Sequence, residues 1–340
     1  MLLTRRALNR AFLARQLLLA REAIAPQKAI EQLAGLQAQE AKPPYLALWT
    51  RIDGFTRDAL HDAIVKRQVV RGTMMRGTLH LVSRNDYLAW RQTLQPALAR
   101  IAEGLAKKSV DVAGVCATAR TFFDEEPRPF DALRAVFPPD DARMMAYMVR
   151  LHLPLLMVPD DSTWSYSPSA PFAVAETFLK AKLKPASPRD FVLRYLAAFG
   201  PATPADFQNW SGLGDARPVF EELRPKLETF RDEKKRELFD LPKAPRPDED
   251  TEAPVRFLPE FDSTLLGHAD RSRIIADEHR PRVATKNLRI LATFLVDGFV
   301  AGTWSIVKKK LELAPFGKLD KRTRSALDEE GERLVAFLLS

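Results

Sequence analysis

The chain has 340 residues, 46% hydrophobic and 28% charged, a balance that supports packed cores and excludes general disorder. That length predicts two or three domains rather than one compact unit. The single cysteine, Cys116, excludes an internal disulfide and reads as a small buried hydrophobe. The apolar run from Phe12 to Ala20 is broken by Arg15 and Gln16, so it predicts a helix core rather than a signal peptide or membrane span, and hence a cytoplasmic protein.

The net charge of +8 is unevenly placed. Residues 1–110 carry 18 Lys/Arg against 8 Asp/Glu, giving +10, and residues 111–340 carry 34 against 36, giving −2. A basic N-terminal region suits a polyanion such as a phosphate backbone, because counterion release drives that association.

In chain order, helices are predicted at Thr4–Ala20, Pro26–Gln37 and Thr56–Arg67, followed by an extended stretch Val69–Val82. A second set runs through helices Val115–Phe123, Phe130–Phe137 and Arg143–His152, then strands Leu155–Val158 and Trp164–Tyr166. The third set is the clearest: a helix Pro188–Phe199, a break at Gly200-Pro201-Ala202, and a helix capped by Thr203 with Pro204 at its first position. A turn at Ser211–Gly214, a helix from about Asp215, and strands Leu227–Arg231 and Glu237–Leu241 complete it. Helix, helix, turn, helix, hairpin is the order of a winged helix. Lys243–Pro254, rich in proline and acid, predicts an exposed linker. Beyond it, Val255–Leu258 and Leu265–Leu266 suggest short strands, Ile290–Val296 and Phe299–Ile306 a hairpin across Asp297-Gly298, and Lys321–Leu339 an amphipathic helix.

The expected fold class is therefore mainly α with β wings (α+β): tandem winged-helix repeats plus a C-terminal α+β segment. The units fall at 1–110, 111–186 and 187–242, with a linker at 243–254 and the C-terminal segment at 255–340. Three winged helices predict a partner of double-stranded DNA, a nucleoid-associated location, no membrane and no obligate protein partner. On the residues alone, a non-catalytic DNA-binding regulator and a protein-interaction scaffold stay open as alternatives.

Four segments could carry chemistry. Gln37-Ala38-Gln39 precedes Pro43-Pro44, whose rings disfavour helix before them, so the two amides are expected at an unwinding helix end. Glu40 beside them is a spare candidate base. In the segment Arg71 to Val82, an extended backbone would set Arg76, Thr78 and His80 on one polar face, with Gly72 and Gly77 permitting close approach, and Arg71, Arg76, Thr78 and His80 are candidate DNA contacts. The run Phe261 to Arg273 holds His268 and Asp270, which predict an internal Asp–Arg–His network rather than a metal pair, with Arg271 and Arg273 as candidate DNA contacts. Lys234-Lys235-Arg236 and Lys308-Lys309-Lys310 are basic tips, the first a candidate phosphate contact on a wing. No nucleotide-binding or Ser–His–Asp signature is legible, and neither cofactor nor metal is expected.

Taken together, Gln37-Ala-Gln39, Met75-Arg-Gly-Thr-Leu-His80, Leu266-Gly-His-Ala-Asp-Arg271 and Leu295-Val-Asp-Gly-Phe-Val-Ala-Gly-Thr-Trp304 resemble the winged-helix DNA glycosylases related to AlkZ, the azinomycin-resistance family. The resemblance spans nearly the whole chain. It implies a scaffold curved around duplex DNA, monofunctional excision of alkylated bases including unhooking of interstrand crosslinks, and a catalytic pair matching Gln37 and Gln39. A related branch resembling YcaQ carries aspartate at the second position, so Gln39 places this chain on the AlkZ-like side. The chemistry suits a restricted substrate class. Glutamine is no acid, but an N7-alkylguanine already carries positive charge and departs without protonation.

Overall fold

The structure, a computed structural model, describes residues 1–105, 110–285 and 289–340. It is a mixture of helices and three small sheets. The first two sets of elements meet in one six-stranded sheet, in the order Leu36–Gln37, Leu79–Ser83, Val69–Thr73, Leu155–Met157, Pro171–Val174 and Arg128–Pro129. The seam is the antiparallel pairing of Arg71 with Met157 and Gly72 with Leu156. Glycine is required there, since a Cβ at position 72 would lie 2.9 Å from the Leu155 carbonyl oxygen and 2.8 Å from the Tyr87 ring.

The third set follows the expected boundaries closely because its signals are local. Helices Pro188–Phe199, Pro204–Ser211 and Arg217–Leu223 precede strands Glu228–Asp232 and Glu237–Asp240. Thr203 and Asp206 form a reciprocal capping box, and Gly212 closes the second helix at φ +79°. A strand that the sequence did not suggest, Leu2–Leu3, adds in parallel to Glu228–Asp232. Phe191, Tyr195, Phe199, Phe207 and Trp210 pack together in the largest core cluster, with Phe12 from the first helix, Arg5–Arg15.

The C-terminal sheet is antiparallel: Arg256–Leu258, Thr293–Val296, Phe299–Val307 and Lys310–Pro315, with the helix Lys321–Leu339 packed on it. The Asp297-Gly298 hairpin and the final helix sit where expected. Several expectations fail. Leu265–Leu266 is not a strand, because Asp262 caps a 3-10 turn at Ser263–Leu265. The partner of Leu155–Met157 is Pro171–Val174 rather than Trp164–Tyr166, a turn whose Asp160 carboxylate collects backbone N–H groups of Ser162 and Ser167. Pro43 and Pro44 do not stop a helix but start one, Pro43–Trp49, at its first positions, where a missing N–H costs nothing.

The basic N-terminal region is not simply a basic surface. Arg15 pairs bidentately with Asp240 at 2.7 and 2.8 Å, Arg51 with Asp262 at 2.9 and 2.8 Å, and Arg10 with Asp297, the three arginine side chains being fully or almost fully buried. Each partner lies beyond residue 200. Much of the +10 is therefore charge that fastens the N-terminal elements to the C-terminal ones. The wing tip behaves similarly: Lys234 and Arg236 both contact Asp270 at 2.7 Å, so phosphate would have to displace a carboxylate there. The stretch 243–254 lies along the first helix, where the Glu249 and Thr251 carbonyls accept from Arg6 and Arg10.

Candidate active site

The helix Pro26–Gln32 ends sooner than its sequence pattern suggests. Ala34 turns left-handed at φ +56°, with Ala34 N–H donating to Glu31 O and Gly35 N–H to Ile30 O, a Schellman closure. Gly35 has φ +91° and a Cβ there would sit 2.8 Å from Val82, so only glycine lets the chain fold back onto the sheet. The glutamines are thus not at a helix end. Gln37 is in the edge strand Leu36–Gln37, opposite His80, and Ala38 N–H continues the ladder to Leu79 O at 2.7 Å. In an extended backbone residues two apart share a face. Ala38 is buried in the core, while Gln37 and Gln39 leave the other side.

Each glutamine is held through its carbonyl oxygen. Gln37 Oε1 accepts from Arg76 Nη2 at 2.9 Å, and Gln39 Oε1 accepts from Leu79 N–H at 2.7 Å. Among the described residues neither Nε2 has a partner. Two amide donors are therefore free to act on a bound molecule. Gln37 is 9% exposed and Gln39 is exposed, so the pair spans the boundary between interior and surface.

Arg71, 4% exposed, clamps the motif from behind: Nε donates to Ala38 O at 2.9 Å and Nη2 to Gln39 O at 3.0 Å, while its guanidinium lies over the Tyr166 ring. Burial lowers its pKa to about 10. It positions the site from inside and is not placed to touch a nucleic acid.

Arg76 is not in the strand, as the extended reading required. It sits at φ +55° in a 3-10 turn, Met75–Gly77, that joins Val69–Thr73 to Leu79–Ser83. From there it reaches Gln37 and the Trp210 carbonyl, tying the glutamine strand to the aromatic core of the third set. Burial, and secondarily the field of Arg271, lower its pKa to about 10, so it stays cationic at neutral pH. Among the described residues no carboxylate forms an ion pair with Arg71, Arg76 or Arg271.

Thr78 closes the turn by donating to Met75 O at 3.1 Å. His80 is 3% exposed, with Nδ1 donating to Thr78 O at 3.1 Å. Burial, then Arg76, push its pKa down to about 3, so it is a neutral imidazole in the interior and not a phosphate contact. This fixes a pH dependence. The unfolded chain binds a proton at this histidine below about pH 6.5, the folded one only near 3, so stability is lost as pH falls through that interval. Between pH 7 and 4.5 the loss from His80 alone is about 2–3 kcal/mol. Urea midpoints at the two pH values will show a smaller gap for His80→Gln, and an unchanged gap contradicts the assignment.

The 261–273 segment divides in two. Arg273, 3% exposed, donates to Pro201 O at 2.8 Å, and His268 Nε2 donates to Phe199 O at 2.8 Å, while Asp206 Oδ1 accepts from Ala269 N–H. Burial and Arg273 hold the His268 pKa far below its usual value. The expected network through Asp270 does not form: Asp270 turns to Lys234 and Arg236, while His268 and Arg273 bond to backbone carbonyls, and its burial removes Arg273 from the candidate DNA contacts. Arg271 differs. It is half-buried at the rim of a cleft of about 510 Å³ with Arg280 and Asp277, over a floor of Leu265, Ile275 and Val283, and its buried Nε has no partner among the described residues. Glu40 is exposed, and Cys116 is half-buried, with burial raising its thiol pKa. Among the described residues no three His, Cys, Asp or Glu side chains gather at metal-binding spacing, and no helix is long and apolar enough to cross a membrane.

A family model described as DNA glycosylase AlkZ-like matches residues 30–337. A curated relative from Streptomyces sahachiroi, described as an interstrand DNA cross-link repair glycosylase, is 26% identical, covering 90% of this chain and 89% of its own length. The solved structure of Streptomyces sahachiroi DNA glycosylase AlkZ matches in fold with a TM-score of 0.81 at 20% identity, over 99% of this chain and 97% of that one. The family match spans nine-tenths of the sequence, and the chain belongs to the AlkZ-like DNA glycosylases.

Proposed function

We propose that this chain hydrolyses the N-glycosidic bond of cationic alkylated bases, of the N7-alkylguanine type, in double-stranded DNA, and unhooks interstrand crosslinks held through such a base. The observation that carries the reading is a pair of neutral amides, Gln37 and Gln39, beside an imidazole that cannot give up a proton. His80 is uncharged at working pH. A neutral base that is not protonated must leave as an anion, whereas an N7-alkylated guanine leaves as a neutral molecule.

The free Nε2 groups of Gln37 and Gln39 orient the attacking water and the sugar as it gains oxocarbenium character. Arg76 and Arg271, cations without carboxylate partners among the described residues, suit the phosphates flanking the lesion. Arg71, Thr78, His80 and Arg273 hold the scaffold. The curated relative's description supports the crosslink part of the proposal. Incubation with duplexes containing one N7-methylguanine or one uracil tests it: free 7-methylguanine is expected by chromatography, and uracil is expected to remain attached. An intact N7-methylguanine duplex contradicts the proposal.

A further inference from the structure

Beside Gln37 lies a second polar group with one oxygen uncommitted. The loop after strand Arg256–Leu258 folds over the glutamine strand, and between them is a crevice of about 10 Å³, lined by Leu36, Gln37, Ala47, Glu260, Asp262 and Ser263 among others. That volume is about the minimum that holds one water molecule. Its polar groups are unequal. Asp262 is fully buried and committed to Arg51 on both oxygens and to Thr264 N–H. Gln37 is nine-tenths buried, and its Nε2 has no partner among the described residues. Glu260 is held at one oxygen only: Oε2 accepts from Arg289 Nη2 at 2.7 Å and Nε at 3.1 Å, and Oε1 has no partner among the described residues.

We infer that Glu260 is a further catalytic residue: the carboxylate that, with the Gln37 amide, holds the attacking water and takes its proton. The inference rests on the proposed glycosylase reaction. A neutral amide can orient water but cannot deprotonate it, and Glu260 is the carboxylate of the crevice left free to do so. The water oxygen bonds to C1′ as the bond from C1′ to the base nitrogen breaks. The bonding pair leaves with the base and cancels its positive charge, one water proton goes to Glu260, and the other stays on the new sugar hydroxyl. Arg289 pairs with the carboxylate, Lys42 and Glu40 add their charges to the field there, and Asp262 is neutralised by Arg51. Phe261, next to Glu260, holds φ +58°, a conformation costly for a bulky side chain.

The test is single-turnover release of 7-methylguanine from a duplex with one N7-methylguanine. Glu260→Gln is expected to lower the rate about 100-fold or more, with affinity for the lesion duplex and melting temperature unchanged. Glu260→Ala is expected to regain rate on addition of formate, whereas Gln37→Ala is not. A Glu260→Gln rate near that of the natural protein overturns the inference and leaves the glycosylase reading standing. Loss of rate in step with loss of binding or melting temperature, or no response of Glu260→Ala to formate, overturns it too. A natural protein inert on this duplex removes the glycosylase reading and this inference together.

Discussion

A Gln37→Ala, Gln39→Ala double variant retains its affinity for undamaged duplex and loses roughly 10²–10³-fold or more of its single-turnover rate on N7-methylguanine, the cost typical of removing a preorganised donor. The expectation follows from how each side chain is anchored. Their oxygens are fixed by Arg76 and by Leu79 N–H, so the two donors are aimed before substrate arrives and lose little ordering entropy on binding. The pair acts as a unit, and either single substitution is expected to cost nearly as much as both. The two sites differ in their structural consequences. Gln39 is exposed and its loss frees a backbone N–H that water can satisfy, whereas Gln37→Ala leaves the half-buried Arg76 guanidinium short of an acceptor. Melting of the two single variants will show a drop for Gln37→Ala and almost none for Gln39→Ala. Undiminished base release by the double variant would move the active site elsewhere.

The largest effect on stability is expected at Asp262. With Arg51 it forms a pair in which both side chains are fully buried, and removing one partner leaves an uncompensated charge, costing roughly 3–5 kcal/mol. Asp262→Ala should therefore lower the thermal midpoint by about 6 °C or more. The double replacement Arg51→Met, Asp262→Leu should recover part of the loss, because apolar side chains of similar size remove the stranded charge. The pair does more than stabilise. It locks the loop carrying Glu260 against the helix Pro43–Trp49 and the strand carrying Gln37. A loss below about 1 kcal/mol for Asp262→Ala, measured by denaturant unfolding, would contradict this view of the joint.

What the sequence makes legible is the part of the fold written in neighbouring residues. Thr203-Pro204, Gly212 and Asp297-Gly298 act within a few positions, and the elements they bound fall where expected. The glutamine strand is the opposite case. Residues 26–37 have helical periodicity, but Leu36 and Gln37 find ladder partners 45 and 43 residues away, in Leu81 and His80, and no local pattern announces that pairing. The spacing itself held the clue, since two side chains two apart share a face in a strand and not in a helix. Charge was misleading for a related reason. A run of arginines reads as a surface until their partners are known, and Asp240, Asp262 and Asp297 are more than 200 residues from Arg15, Arg51 and Arg10. Arg71, His80 and Arg273 were likewise legible as important polar residues, but their burial, which turns them from contacts into supports, follows only from packing. Glu260 had no sequence signal. It matters because a turn in the loop brings it to Gln37.

The most direct measurement compares two duplexes that differ in one atom of one base: N7-methylguanine, and its uncharged isostere 7-methyl-7-deazaguanine. Size, shape and methyl group are the same, and the positive charge is gone. Release of the cationic base with retention of the isostere, at similar affinity for both duplexes, is the result expected if the site supplies no proton to the leaving group because the base is already charged. Release of the isostere at a comparable rate would mean that a proton donor operates in the site, and would contradict catalysis by neutral amides on a base that is already charged.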